Sequence, residues 1–270
     1  MDKQVKIING FNSENFDNKN SKIINGFKLN EKLKKKYDFF GSITLANSNI
    51  PGAGASYIGN NIVVTAGHVA NEFKNRPQNI VVRFNKKNLY DNGIKFKVKK
   101  ILIHPKYNTN TFDNDIALLY LDDKPSKYGI KNIFLPGNRI NRSTYVKNKN
   151  VTIIGYGVDR FFRGRQPYNL QASNIKIMNK YETKYPSYWI TKNMFPAGDW
   201  NDLRNPSDNE DSCQGDSGGP LFGNYGRNNE IILLGITSWG KGCGWDSYPG
   251  IYTKTGNYTN WIYNNWNLNK

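Results

Sequence analysis

The feature that most constrains the fold is a series of short apolar segments, rich in Val, Ile and aromatic residues and separated by turn residues. Such segments predict β-strands in an all-β barrel or sandwich, and strand propensity does not choose between the two. The predicted strands are Phe39–Leu45, Ala55–Ile58, Ile62–Thr65, Ile80–Phe84, Ile94–Ile103, Asp115–Leu121, Val151–Tyr156, Asn169–Met178, Pro220–Phe222, Ile231–Trp239 and Gly250–Lys254. Tyr258–Asn267, with Trp261, Ile262 and Trp266 at helical spacing, predicts an amphipathic C-terminal helix.

A serine lies among glycines in segment 211–220, which reads Asp-Ser-Cys-Gln-Gly-Asp-Ser-Gly-Gly-Pro. Glycine lets the chain turn tightly and come close to a substrate. The amides of Gly215 and Ser217 could then face one developing oxyanion, as an oxyanion hole requires. Gly-Asp-Ser-Gly alone is equally typical of a polar turn, but the ten-residue string is more specific and makes Ser217 a candidate nucleophile.

A serine nucleophile needs a base that an acid has oriented, and the chain has two histidines. His68 follows an apolar run, a pattern that by itself is also typical of a core histidine. His104, just before Pro105, is more typical of a strand cap. Asp115 decides the assignment, because a carboxylate at the start of an apolar strand is costly to bury unless it is paired. We therefore expect His68 to be the base and Asp115 its partner.

With the order His68, Asp115, Ser217, the chain resembles the trypsin-like (chymotrypsin-fold) serine protease family, whose triad follows this order. The motifs that carry the resemblance are Thr65–Val69, Ile103–Pro105, Asn114–Leu119, Gly155–Gly157, Met194–Gly198, Ser212–Leu221, Gly235–Gly240, Pro249–Lys254 and Asn257–Ile262. The resemblance implies two six-stranded Greek-key β-barrels with a C-terminal α-helix. The first barrel would supply His68 and Asp115, the second Ser217, and no cofactor is implied.

The resemblance also implies a pocket for a Lys or Arg side chain of the substrate. Asp211 lies six residues before Ser217, where trypsin-like relatives have a carboxylate on the pocket floor that would stabilise such a cation. The substrate-binding residues implied in this way are Asp211, Ser212, Ser238, Trp239, Gly240 and Gly250. The other interpretation of Asp211 is an exposed carboxylate in the acidic run 208–211.

A six-residue repeat occurs near the N-terminus, where Lys6–Phe11 recurs as Lys22–Phe27. In the family, cleavage before an Ile-(Val/Ile)-x-Gly segment frees an α-ammonium that inserts beside the aspartate preceding the nucleophile, here Asp216. Both Ile7 and Ile23 could provide this ammonium.

Spacing favours the second copy, because Ile23 precedes His68 by 45 residues, close to the family's usual distance, and Ile7 precedes it by 61. We therefore expect a propeptide or disordered segment at 1–22 and a peptidase domain at 23–270. The expected activation cleavage lies between Lys and Ile at 22–23.

The two cysteines, Cys213 and Cys243, stand at positions that are bridged in the family. Closing a loop of about 30 residues stabilises a fold by roughly 3–4 kcal/mol in chain-entropy estimates. Other bridges of the family are absent, since this chain has Ala53, Val69, Val151, Pro196 and Gly223 at those positions. A disulfide favours an oxidising compartment, so a secreted or extracytoplasmic location is expected, although residues 1–22 contain no signal-like apolar stretch and no segment is long enough to span a membrane.

Lys and Arg (38) outnumber Asp and Glu (21), giving a net charge of +17. This charge raises a second hypothesis, a catalytically silent protease-fold protein that binds anionic polymers or surfaces. The basic residues are spread along the chain, with runs only at Lys32–Lys36 and Lys95–Lys100, and neither run carries a nucleic-acid motif.

Silent relatives typically lack a triad residue, and all three are present here. The expected function is therefore a monomeric serine endopeptidase that cleaves proteins after Lys or Arg and is open to protein protease inhibitors, with no specific nucleic-acid partner. Relatives often carry a calcium loop between Phe84 and Lys100, but Asp91 is the only acidic residue there. Calcium needs several oxygen ligands, so no metal is expected.

Overall fold

The computed structural model describes residues 27–137, 142–158, 164–199, 211–225, 229–245 and 247–267. Within them the strands are β1 (Phe27–Lys28), β2 (Phe40–Leu45), β3 (Ala53–Gly59), β4 (Ile62–Thr65), β5 (Ile80–Phe84), β6 (Ile94–Ile103), β7 (Ala117–Leu121), β8 (Asn150–Gly155), β9 (Gln171–Ile177), β10 (Met194–Gly198), β11 (Pro220–Tyr225), β12 (Glu230–Trp239) and β13 (Gly250–Lys254). The α-helices are α1 (Glu31–Lys36), α2 (Gly67–Asn71) and α3 (Thr259–Asn264). The proposed cleavage site at 22–23 lies outside the described residues.

The first barrel closes in the order β2-β3-β4-β7-β6-β5. Its neighbouring strands are antiparallel, and β5 returns to pair with β2, as in a Greek key. Strands β4, β5 and β7 are buried along their whole length, so their sequences are nearly continuous apolar runs. Val63, Val82 and Leu119 are fully buried in this core, and burying each such side chain contributes roughly 1.5–3 kcal/mol.

The second barrel closes in the order β8-β9-β10-β13-β12-β11. Strand β1 pairs with the start of β9, on the edge of β9 that also pairs with β10. The strands of this barrel are also antiparallel, and β11 returns beside β8 in the same Greek-key order. Ile175, Leu221 and Leu234 are fully buried in its core. The predicted class, all-β with two six-stranded barrels, is confirmed.

Strands β1 and β10 and helices α1 and α2 are not predicted by the sequence. Strand β10 contains Pro196 and ends at Gly198, residues of low strand propensity. It forms because β13 pairs with it, with Pro196 opposite Ile251. Helix α1 covers a lysine run that the sequence assigns only to a solvated surface. Its N-cap Asn30 accepts the Leu33 amide at 2.9 Å. Three of its lysines, Lys34, Lys35 and Lys36, lie in the last turn, where the helix dipole favours cations.

The predicted C-terminal helix is too long. Helix α3 ends at Asn264 instead of Asn267 and begins one residue after Tyr258. The Asn265 amide bonds back to Ile262 at 3.1 Å, closing the last turn. No helix in the described part of the chain is long and apolar enough to cross a membrane.

Candidate active site

His68 is held by a buried carboxylate. It lies in α2, directly after β4, and its Nδ1 is 2.8 Å from Asp115 Oδ2. Asp115 Oδ1 also accepts the His68 backbone amide at 2.7 Å. Because an ionised carboxylate only accepts hydrogen bonds, Nδ1 carries the proton and Nε2 is left as a base. The two bonds fix the tautomer and the orientation of the imidazole ring.

The second barrel completes the shell around Asp115, which is fully buried. Ser238 Oγ, on β12, donates to Asp115 Oδ2 at 2.5 Å. Thr253 Oγ1, on β13, donates to the Asp115 backbone carbonyl at 2.9 Å. The Ser238 hydroxyl stabilises the negative charge of the carboxylate, and both hydroxyls join the two barrels at this point.

His68 Nε2 is buried and has no hydrogen-bond partner among the described residues. The imidazole packs edge-on against the Phe112 ring, with centroids 5.8 Å apart. Buried polar atoms are nearly always paired, so an unpaired one needs an explanation. For Nε2 the explanation that we favour is that it accepts a proton during a reaction. No hydrogen bond joins it to the Ser217 hydroxyl in this structure, and such bonds are often long in ligand-free enzymes.

Ser217 is fully buried beside the segment that carries His68. The Gly54 amide donates to the Ser217 carbonyl at 2.9 Å. Gly218 adopts a φ of +77°, and a side chain there would collide with Thr65, the last residue of β4. Since Thr65 precedes His68 by three residues, the close approach of Gly218 brings the Ser217 segment to the base.

The turn before Ser217 requires glycine at position 215, where φ is +98° and a Cβ would lie 3.3 Å from Gln166 Nε2. The Asp216 amide donates to the Cys213 carbonyl at 3.0 Å, which tightens the turn. Within the described residues the Gly215 amide donates no hydrogen bond. An amide of this kind is available to an anionic oxygen.

Asp211 is buried, with 2% of its surface exposed, unlike a carboxylate on a loop surface. Its carboxylate accepts three amides, from Ser212 at 2.8 Å, Gly250 at 3.2 Å and Gly244 at 3.0 Å. Burial raises its pKa to about 7, although the three amides oppose this shift. A cation brought beside Asp211 would favour the ionised form.

The walls beside Asp211 are built from glycine and aromatic residues. A Cβ on Gly250 would lie 2.8 Å from Asp211 Oδ1, whereas one on Gly240 would meet nothing closer than 3.8 Å. Tyr185 packs against Trp239, with centroids 5.1 Å apart. Its hydroxyl accepts the Lys241 amide at 2.8 Å, which holds this wall in place.

A disulfide joins Cys213 to Cys243. It connects the segment that follows Asp211 to the segment that supplies the Gly244 amide. Ser212 Oγ lies 3.1 Å from the Tyr252 hydroxyl, a second link between this segment and β13.

Asp216 is buried next to two glycines. Its Oδ1 accepts the Gly157 amide at 2.8 Å and its Oδ2 accepts the Cys213 amide at 3.0 Å. A side chain at Gly155 or Gly157 would collide with the carboxylate. Burial raises the pKa of Asp216 to about 6. Ile23, its expected partner, lies outside the described residues.

Residues 30–262 match the Trypsin family. The chain belongs to the trypsin family. It is 35% identical over 217 residues to Trypsin Blo t 3 of Blomia tropicalis, covering 77% of this chain and 75% of that protein. It is 34% identical over 218 residues to Trypsin-3 of Homo sapiens, covering 80% and 65%. The match to tissue-type plasminogen activator of Sus scrofa is 33% over 178 residues and spans 63% of this chain but only 31% of that protein.

Several residues contribute to the site of this trypsin-family chain in ways that its sequence does not indicate, among them Ser238 and Tyr185. The sequence predicts only backbone contacts of Ser238 with substrate, and no pattern in it indicates the bond to Asp115. It does not single out Tyr185, because a tyrosine in an irregular segment carries no signal of the wall it supports. His104 packs between Tyr258 and Trp261, with ring centroids 5.1 and 4.9 Å away. These contacts indicate a role in packing for His104.

Proposed function

We propose that this trypsin-family chain is a serine endopeptidase that hydrolyses peptide bonds after Lys or Arg through an acyl-enzyme. The observation that carries the proposal is the pair of His68 and Asp115, bonded at 2.8 Å beside the Ser217 segment. His68 Nε2 has no hydrogen-bond partner among the described residues. This pair can act as an oriented base next to a serine hydroxyl.

In the proposed mechanism Ser217 Oγ attacks the substrate carbonyl carbon and gives its proton to His68 Nε2. The amides of Gly215 and Ser217 stabilise the oxyanion. The protonated imidazole, stabilised by Asp115, then gives the proton to the leaving amine, which departs as the acyl-enzyme forms. Water, deprotonated by His68, hydrolyses the acyl-enzyme and regenerates the serine.

Specificity for Lys and Arg would come from Asp211. Three amides hold the buried carboxylate in position. Because burial makes an unpaired carboxylate unfavourable, a cationic side chain of the substrate would stabilise its ionised form. Ser212, Gly240 and Gly250 would line the same pocket, and Ser238 and Trp239 would pair with the substrate backbone.

Activation would follow cleavage at 22–23, which removes residues 1–22. The new Ile23 ammonium would pair with Asp216. Burial raises the pKa of Asp216, and a nearby cation would favour its ionised form. The disulfide supports a secreted or extracytoplasmic location, where protein substrates and protein protease inhibitors would be the partners.

The test is hydrolysis of peptide anilides that end in Lys, Arg or Phe, together with labelling by a serine-directed phosphonate. Ser217→Ala and His68→Ala should each lower kcat/KM by roughly four to six orders of magnitude, because the triad acts as a unit. His104→Ala is the matched control and should change it less than about twofold. Equal losses at both histidines would overturn the assignment of the base.

Absence of labelling and hydrolysis in protein whose N-terminus is Ile23 would instead support the silent, anion-binding alternative. The phosphonate reads the nucleophile directly, so this outcome does not depend on the choice of substrate.

A further inference from the structure

A second concavity lies away from the candidate active site. It is a half-open cleft of about 420 Å³ between α1, β2, the end of β5 and the residues that follow it. Tyr156 and Leu170 form the remaining wall. None of the candidate catalytic or pocket residues lines it.

Two buried cations lie at the base of this cleft. Arg83 donates to the Thr44 hydroxyl and to two backbone carbonyls. Lys86 donates to the carbonyls of Asn49, at 2.8 Å, and Asp91. Neither forms an ion pair with any carboxylate in the described part of the chain. Both side chains are thus fixed in position. Burial lowers the pKa of Lys86 to about 8, and the nearby Asp91 carboxylate opposes this shift.

The rim of the cleft adds further positive charge. Lys35 and Lys87 are exposed, and neither makes an ion pair within the described ranges. The cleft residues that carry charge are Lys34, Lys35, Arg83, Lys86 and Lys87 against Glu31 and Asp38. The balance is five positive minus two negative, or +3. Among the described residues, Lys34 is the only one of these cations paired with an acid, Glu31 at 2.9 Å.

Two buried polar atoms of the cleft residues have no hydrogen-bond partner in the described part of the chain, Tyr156 Oη and Asp38 Oδ1. Tyr156 is 1% exposed and Asp38 is 7% exposed. The hydroxyl can donate a hydrogen bond and the carboxylate oxygen can accept one. A ligand that satisfies both must offer an acceptor and an N–H donor, as a peptide backbone does.

We propose that this cleft binds an acidic peptide segment of a partner protein. The backbone of the segment bonds to Tyr156 and Asp38, and its Asp or Glu side chains pair with Lys35 and Lys87. The walls of the cleft favour a peptide over a sulfated glycan, because Tyr37, Phe40 and Leu170 offer apolar contacts to a side chain such as Phe.

The probe is a fluorescein-labelled peptide, Asp-Glu-Asp-Phe-Glu-Asp-Glu, which contains no Lys or Arg to be cleaved. Fluorescence anisotropy with the full chain should give saturable binding that weakens as salt rises. The double variant Lys35→Glu, Lys87→Glu should raise Kd at least about tenfold. The matched control, Lys74→Glu with Lys124→Glu, reverses the charge of two exposed lysines outside the cleft and should change Kd less than about twofold.

Tyr156→Phe separates ligand binding from folding. The hydroxyl has no partner in the free protein, so its removal should leave Tm unchanged or higher while raising Kd about threefold or more. Absence of saturable binding, equal losses in the two double variants, or unchanged affinity in Tyr156→Phe would overturn the proposal. Binding of a heparin hexasaccharide that depends on Lys35 and Lys87, with none of the peptide, would overturn it in favour of a glycan site. Proteolytic activity enters none of these measurements, so the outcome is independent of the proposed function.

Discussion

At the scale of single residues, the candidate site depends on three buried carboxylates with different partners. Asp115 has an imidazole and a hydroxyl, whereas Asp211 and Asp216 have only backbone amides among the described residues. Burial raises the pKa of Asp211 to about 7 and that of Asp216 to about 6. Each of these two carboxylates would therefore gain from a nearby cation. In the proposed function this cation is a substrate side chain for Asp211 and a new N-terminus for Asp216.

Ser238→Ala tests the hydroxyl that the sequence did not indicate. The Ser238 hydroxyl bonds to the carboxylate that orients the His68 base and contacts no substrate through this bond. We therefore expect kcat to fall about tenfold with KM nearly unchanged. Thr253→Val is the control, because it removes a bond to the Asp115 carbonyl instead of the carboxylate. Raised KM with unchanged kcat in Ser238→Ala would mean that Ser238 acts only on the substrate.

Asp211→Ser tests the pocket floor. Without the counter-charge, kcat/KM for Lys and Arg substrates should fall by about two orders of magnitude or more, a loss of roughly 3 kcal/mol, while slow hydrolysis after Phe remains. The measurement is kcat/KM on anilides that end in Lys, Arg and Phe. A wild-type preference for Phe would contradict the assignment of Asp211.

The pH dependence of stability provides a control on folding for the same variant. A buried acid with a raised pKa destabilises the fold as pH rises from its unfolded value near 4 through about 7. The Tm of Asp211→Ser relative to wild type should therefore increase over this range, which distinguishes lost specificity from lost structure.

At the scale of elements, local sequence determined the strands whose own residues are buried and apolar. Strands β4, β5 and β13 are of this kind and have the predicted bounds. Strand β6 also has the predicted bounds, although only Phe96 and Val98 of its residues are buried. Strand β10 and the short β1 could not be predicted, since they exist through pairing with β13 and β9, which are distant in sequence. By contrast, His68, Asp115 and Ser217 could be predicted from the sequence, because each lies in a motif of neighbouring residues.

Removal of the disulfide by Cys213→Ala with Cys243→Ala tests the link between the two pocket segments. The bond spans 30 residues, so its loss should lower the free energy of unfolding by about 2–4 kcal/mol. The disulfide also holds the segment whose Gly244 amide donates to Asp211. KM should therefore rise more for Lys than for Phe substrates. Thermal unfolding and paired KM values are the measurements, and an equal rise for both substrates would contradict a role at Asp211.

At the scale of the whole molecule, the candidate site exists only where the two barrels meet. The first barrel carries His68 and Asp115, and the second carries Ser217 together with the hydroxyls that bond to Asp115. The Gly54 amide on the Ser217 carbonyl is a further bond across this boundary. Contacts of this kind join residues far apart in sequence, which is why the motifs were predictable from the sequence and their hydrogen bonds were not.

The last prediction concerns activation at 22–23. Because the expected pocket accepts Lys, the enzyme should cleave its own precursor after Lys22, and a trace of active protein should speed conversion of the rest. Sequencing of the active species should find Ile23 at the N-terminus. Fully active enzyme that begins at Met1 or Ile7 would contradict this account.

The sign of the pH effect follows from the two partners of the proposed pair. Asp216 ionises as pH rises toward about 6, and the paired ammonium should have a pKa above its free value of about 8. Pairing therefore stabilises the cleaved form once Asp216 is ionised, remains complete up to the free pKa of the ammonium, and is lost as pH rises through its raised pKa. The Tm of the cleaved chain minus that of uncleaved Ser217→Ala should be largest between about pH 6 and 8, whereas a pH-independent difference would exclude the ion pair as the cause of activation.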